Sequence, residues 1–189
     1  MAGGEGELKI TVASIPRCGS TLLARAVAGL PPGNTWPKDL PEVKKMHWPR
    51  ENELKRIDRA VFLFGDIINA VISTRFKRWD ENHFRNCDCE KPLAEVDIFN
   101  RDDLNYESMF DYWTAGHAFP VLAVRYEAMW RNADLISGFV DKKLKLPPKK
   151  ERQTNLNMVT REEFIDICRT YSSLIRRVEK MPDIKVITQ

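Results

Sequence analysis

The chain has 189 residues, 43% hydrophobic and 30% charged, enough to bury one core in a single domain spanning 1–189. A formal net charge of +3 is too small to mark a nucleic-acid-binding surface, and no apolar run reaches the roughly 18 residues a membrane span needs. The glycine-rich, acidic opening "MAGGEGELK" is unlike a secretory leader, and four cysteines do not make a disulfide framework, so a reducing, cytoplasmic setting is expected.

Leu8 to Ala13 reads as a strand, with Ile10, Thr11 and Val12 β-branched, and Thr21 to Leu30 as the alanine-rich helix it feeds. The proline-rich "LPPGNTWPKDLP" breaks both kinds of element, "EVKKMH" is a short edge strand, and Asn52 to Ile57 a weak helical turn. "RAVFLFG" is the clearest buried strand, followed by a helix from Asp66 to Arg78. Residues 79–104 are polar and irregular, a length of loop that is usually functional or mobile. "YESMFDYWTAG" is helical, "FPVLAVRY" is another buried strand, and "ADLISGFVDKKLKL" is a helix stopped by Pro147. The tail holds an amphipathic helix from Arg161 to Lys180 and a last short strand in "IKVIT". Strands alternating with helices predict an α/β, three-layer sandwich around a central parallel sheet, with ligands at the carboxyl ends of the strands.

The stretch "ITVASIPRCGSTLLARAV" opens at such an end. A strand-to-helix loop aims several backbone N–H groups at one point, and the helix dipole adds positive potential there. Gly19 lets backbone approach an oxygen, Ser20 and Thr21 offer hydroxyls, and Arg17 offers a bidentate fork. A tight turn with a serine capping the helix is the plainer alternative. Triphosphate loops place a lysine directly after their last glycine, and here Ser20 stands in that position.

Residues Pro16 to Thr21 resemble the phosphosulfate loop Pro-Lys-Ser-Gly-Thr-Thr of the sulfotransferase family, with Arg17 for lysine and Cys18 for serine. "KMHWP", holding Lys45, His47 and Pro49, resembles the Lys-Thr-His-Leu-Pro element that follows the family's second strand. Alternation along an extended segment independently puts residues 45 and 47 on one face. The resemblance implies that the loop, including Cys18, holds the 5′-phosphate of 3′-phosphoadenosine 5′-phosphosulfate (PAPS), with no metal. It also implies His47 as general base on an acceptor hydroxyl, and Lys45 as stabiliser of the donor's bridging oxygen. An unperturbed histidine can take a proton near neutral pH, and a fixed ammonium meets charge as it develops.

Ser73 matches the family's 3′-phosphate serine, but Gly65 stands where its arginine would be, eight residues earlier. Weak 3′-phosphate discrimination is expected unless Arg75 or Arg78 on the next helix compensates. The basic run "KKLKLPPKKERQTN" supplies Lys150 and Arg152 as candidates for a closing loop, though without the family's Arg-Lys-Gly signature. Arg125, Tyr126 and Glu127 match a Tyr-Glu-Asp element that is scaffold, with Ala128 departing from it. The resemblance runs from about residue 9 to residue 146. Residues His83, Cys87 and Cys89 lack the fourth ligand a structural zinc needs. Cys18 could be an activated thiol at a helix N-terminus, and Trp36, Trp48, Trp79 and Phe84 could line an acceptor pocket. The reading is a small sulfotransferase using PAPS on an unidentified hydroxyl acceptor; the alternatives are a P-loop nucleotide kinase and a non-catalytic nucleotide-binding protein.

Overall fold

The computed structural model describes residues 8–37, 40–49, 53, 56–151 and 156–189. Of the expected helical turn at 52–57, residues 52, 54 and 55 fall outside them, and Arg152 lies outside them altogether.

The described residues form a five-stranded sheet in the order β2-β1-β3-β4-β5. Its strands are β1 (Ile10–Ser14), β2 (Val43–Met46), β3 (Arg59–Phe64), β4 (Val121–Arg125) and β5 (Ile184–Ile187). β1 runs parallel to β2 and β3, and β3 parallel to β4, while β5 closes the sheet antiparallel to β4. The expected all-parallel sheet is thus mostly parallel. Burial on both faces explains the apolar runs of β3 and β4, and β1 is buried throughout, its Thr11 and Ser14 included. β2 at one edge keeps two half-buried lysines, Lys44 and Lys45.

Helices cover both faces. Helix α1 (Ser20–Val27) returns the chain from β1 to β2. Between β3 and β4 come α2 (Ile67–Lys77), α3 (Glu81–Arg85) and α4 (Tyr106–Thr114). On one face Phe110 and Trp113 of α4 pack their rings against Phe62 of β3 at 6.2 Å. On the other, Arg59 donates to the Phe139 carbonyl at 2.6 Å, holding α5 (Ala133–Val140). Strand residues three apart reach opposite faces because side chains alternate. Helices α6 (Arg161–Thr170) and α7 (Ser172–Lys180) pack beside α2, and α7 also meets α4.

Three expectations change. Residues 79–104 contain α3, started by the Asp80 carboxylate accepting from His83 N–H at 2.8 Å, and bury Phe84, Val96, Ile98 and Leu104. The helix expected to reach Pro147 ends at Val140, where Asp141 turns left-handed at φ 51°. Ser137 Oγ then donates to the Lys142 carbonyl at 2.6 Å. The single helix 161–180 is broken at Tyr171, buried against Tyr106.

Chain growth reverses at β1: the chain crosses from β1 to β2 on one side, then returns to place β3 on the other. Such a switch point opens a crevice at the strands' carboxyl ends. The β1–α1 loop and the residues after β2 and β3 meet there.

Candidate functional site

The β1–α1 loop bends through two left-handed residues, Arg17 at φ 65° and Gly19 at φ 84°. For arginine that conformation costs about 1–2 kcal/mol, so the loop is held open by its surroundings. Cys18 N–H donates to the Ile15 carbonyl at 3.2 Å, tightening the turn. Gly19 begins α1 and offers no side chain to cap it. The first N–H groups of the helix therefore lie at the loop with the positive end of its dipole. A Cβ on Gly19 would come within 2.6 Å of Tyr126 Cε2. The space left by the missing side chain admits a tyrosine ring, which the sequence reading had assigned to scaffold.

Arg17 reaches across the crevice to α2, where its Nε–H donates to Ser73 Oγ at 3.0 Å. Two residues singled out 56 positions apart are in direct contact. α2 is aimed by its first turn: the Asp66 side chain accepts from Asn69 N–H at 3.0 Å, a standard N-cap.

The segment after β2 is fixed on three sides. His47 Nδ1 meets the Ser14 carbonyl at 2.8 Å. Trp113 Nε1–H donates to the His47 carbonyl at 3.0 Å, and Trp48 N–H donates to the Asn86 carbonyl at 3.1 Å. A carbonyl only accepts, so the proton of the neutral ring is assigned to Nδ1, leaving the Nε2 lone pair free to accept. His83 of α3 approaches the His47 ring edge to face, with centroids 5.4 Å apart.

The electrostatics are those of a basic cluster. Burial, then the charges of Lys45, His83 and Arg17, push His47 well below the ordinary histidine range. The expectation of an unperturbed imidazole is corrected: burial first, and then the cations around it, hold this ring neutral. His83 is pushed down to about 4, first by burial and then by Arg78, Lys45 and Arg17, against an opposing pull from Asp80. Lys45 is lowered by burial and by Arg78. An anion entering the cluster would oppose the part of each shift that the neighbouring cations cause, leaving the larger part due to burial.

Other expected site residues lie differently. Ser20 is buried and Thr21 half-buried at the start of α1. The Cys18 thiol is fully buried, which removes the access an activated nucleophile needs. Arg75 stacks over Trp79 at 4.5 Å on the outer side of α2, and it is Arg78, at that helix's end, that faces the cluster. Gly65 is buried, with Tyr126 Cβ and Glu127 Oε2 each 3.4 Å from where a Cβ would stand. Lys150 is exposed, and the basic run is tied down one residue earlier, by Lys149 Nζ donating to the Glu127 carbonyl at 3.2 Å. Trp36, Trp48 and Trp79 pack against the core and Phe84 lies within it. A groove of about 530 Å³ runs beside α3, lined by Glu81, Arg85, Asp88, Glu90 and Lys91 among others. Its mixed charges set it apart from the cluster.

Among the described residues no group of His, Cys, Asp or Glu is arranged to hold a metal ion. Burial raises the Cys87 thiol far above its ordinary value. No helix among them is long and apolar enough to cross a membrane. Compared with known proteins, the chain matches no family model and no curated protein. The functional reading therefore rests on these residues and their arrangement.

Sequence reasoning missed His83 as a member of this cluster and weighed it only as a metal ligand. The available signal was Asp80, three residues earlier, which marks a helix start inside a segment read as loop.

Proposed function

We propose that the cluster binds a phosphorylated adenosine nucleotide and that the chain is a sulfotransferase, moving a sulfonate from PAPS to an acceptor hydroxyl. The observation that carries this is the convergence of Arg17, Ser73, Lys45 and His47 at the carboxyl ends of β1, β2 and β3. Four positions chosen for one chemistry come from three separate segments of the chain and meet at one crevice.

In this reading Arg17, Ser73 and the first N–H groups of α1 bind phosphate oxygens. His47 takes the hydroxyl proton at Nε2 as the acceptor oxygen bonds to sulfur. The bond from sulfur to the bridging oxygen breaks, and Lys45 meets the charge left on the 5′-phosphate of 3′,5′-adenosine diphosphate. The donor's own negative charge raises the basicity of His47, so the base is armed when the donor is bound. The buried, hydrogen-bonded His47 supplies orientation in advance.

The test has a binding arm and a turnover arm. Calorimetry should show 3′,5′-adenosine diphosphate binding to the wild type, and Arg17→Ala weakening it ten- to a hundredfold, as expected for about 1.5–3 kcal/mol of charge-assisted contact. Sulfate transfer from labelled PAPS to a panel of alcohols, phenols and sugars should fall roughly 10²–10⁴-fold in His47→Asn, with nucleotide affinity nearly unchanged. Nucleotide binding without transfer to any acceptor would favour the non-catalytic reading. Equal affinity in Arg17→Ala and the wild type would remove the loop from the site.

A further inference from the structure

His83 is buried to 6% exposure, and its Nε2 has no hydrogen-bond partner among the described residues. A buried imidazole nitrogen left unpaired costs about 1–3 kcal/mol, so such atoms call for an explanation. Its backbone role is satisfied, because the N–H caps onto Asp80. The ring, however, is directed at the cluster: it meets His47 edge to face and feels Arg17, Lys45 and Arg78.

We propose that His83 is a further contact of the anion site, its Nε2 meeting an oxygen of a bound tetrahedral oxyanion. This rests on the reading of the cluster as an anion site, and not on sulfonate transfer. A neutral imidazole can present N–H at Nε2, and an oxyanion oxygen is the acceptor that a ring surrounded by cations lacks. The groups facing it are Arg17 from the β1–α1 loop, Lys45 of β2, His47 beyond it, Arg78 closing α2 and Asp80 capping α3. Four of the five are bases, and the entering anion offsets their repulsion. A bound anion therefore opposes the effect of these cations on the His83 ring. The position also supplies a donor from the segment after α2, in a molecule where Gly65 offers no side chain.

The chain has three histidines, which makes the ring nitrogens directly readable. His117 serves as an internal control: it lies before β4 with Nε2 on the Tyr112 carbonyl at 2.8 Å, and the Trp113 ring, 6.0 Å from its own, stands between it and the His47 carbonyl. Imidazole ¹⁵N spectra of the wild type should be recorded during titration with PAPS and, separately, with inorganic pyrophosphate as a nucleoside-free oxyanion. The His83 nitrogens should move at saturation while those of His117 stay in place. His83→Phe, which keeps a ring against His47, should weaken both ligands about tenfold. His83→Gln, which keeps a donor, should stay within about threefold of the wild type. The wild type binding pyrophosphate but not PAPS, with His83 responding, supports this inference and removes the nucleotide reading. Stationary His83 nitrogens at saturation, or a folded His83→Phe that binds both probes as tightly as the wild type, overturn this inference alone. A wild type that takes up neither probe overturns both.

Discussion

At Gly19 two demands coincide: a left-handed backbone at φ 84° and a Tyr126 ring in the place of a side chain. Alanine there meets both at once. The conformation costs about 1–2 kcal/mol and the overpacking about 1–3. Gly19→Ala should therefore lower the melting temperature by several degrees, and adding Tyr126→Ala should recover the packing share only. A double-mutant cycle read by thermal unfolding checks this, and strict additivity would contradict it. The two buried histidines predict an acid weakness. The unfolded chain protonates both near pH 6.5, whereas the native chain holds His83 neutral down to about 4 and His47 lower than its ordinary range. The unfolded state thus binds more protons below pH 6.5, and stability falls as pH drops through that window. His83 alone accounts for about 3 kcal/mol by pH 4. Denaturant midpoints from pH 7.5 to 4.5 should show this loss, and His83→Gln should flatten it.

Among the elements, α2 carries the most consequence for its size. It begins on the Asp66 cap, presents Ser73 to Arg17, and anchors to α4 through Thr74 Oγ1 and the Tyr106 hydroxyl at 2.8 Å. Removing the cap should loosen the turn before Ser73. Asp66→Ala is expected to cost about 1 kcal/mol, and Asp66→Asn much less, as measured by chemical denaturation. Equal losses in the two variants would show that the carboxylate acts by charge and not as a cap. α6 and α7 show why helix ends are harder to read. Thr160 and Glu163 form a reciprocal capping box, visible as Thr-x-x-Glu in the sequence. The break at Tyr171 has no glycine or proline to announce it and arises because the ring is buried where the two helices turn.

Across the whole molecule, the antiparallel strand β5 latches the C-terminal segment to the sheet. Arg125 is the hub: its Nε donates to Asp183 at 2.8 Å, and its Nη2 to the carbonyls of Val178 and Met181 at 2.7 and 2.9 Å. Replacing it leaves two carbonyls to find other partners and the Asp183 carboxylate with Arg131 alone. Arg125→Met should cost about 2 kcal/mol or more, lowering the denaturant midpoint without changing the slope. A reduced slope would mean instead that the C-terminal segment comes away in a separate step.

Local patterning determined the strands and most of the helices, because apolar runs such as "RAVFLF" and caps such as Asp66 act within a few residues. It also marked Arg17, whose loop and flanking elements suggested anion chemistry, while Lys45, His47 and Ser73 were marked by the resemblance to the sulfotransferase family. Tertiary structure decided what those residues touch. Only the sheet order brings α2 over the β1–α1 loop, so that Arg17 meets Ser73, and only the fold of residues 79–104 sets His83 against His47. The same packing buries Cys18, turns Arg75 outward onto Trp79, and fills the notch at Gly19 with Tyr126. It also depresses the imidazoles. Desolvation and the summed field of cations from three segments belong to the assembled site, and no window of sequence contains them.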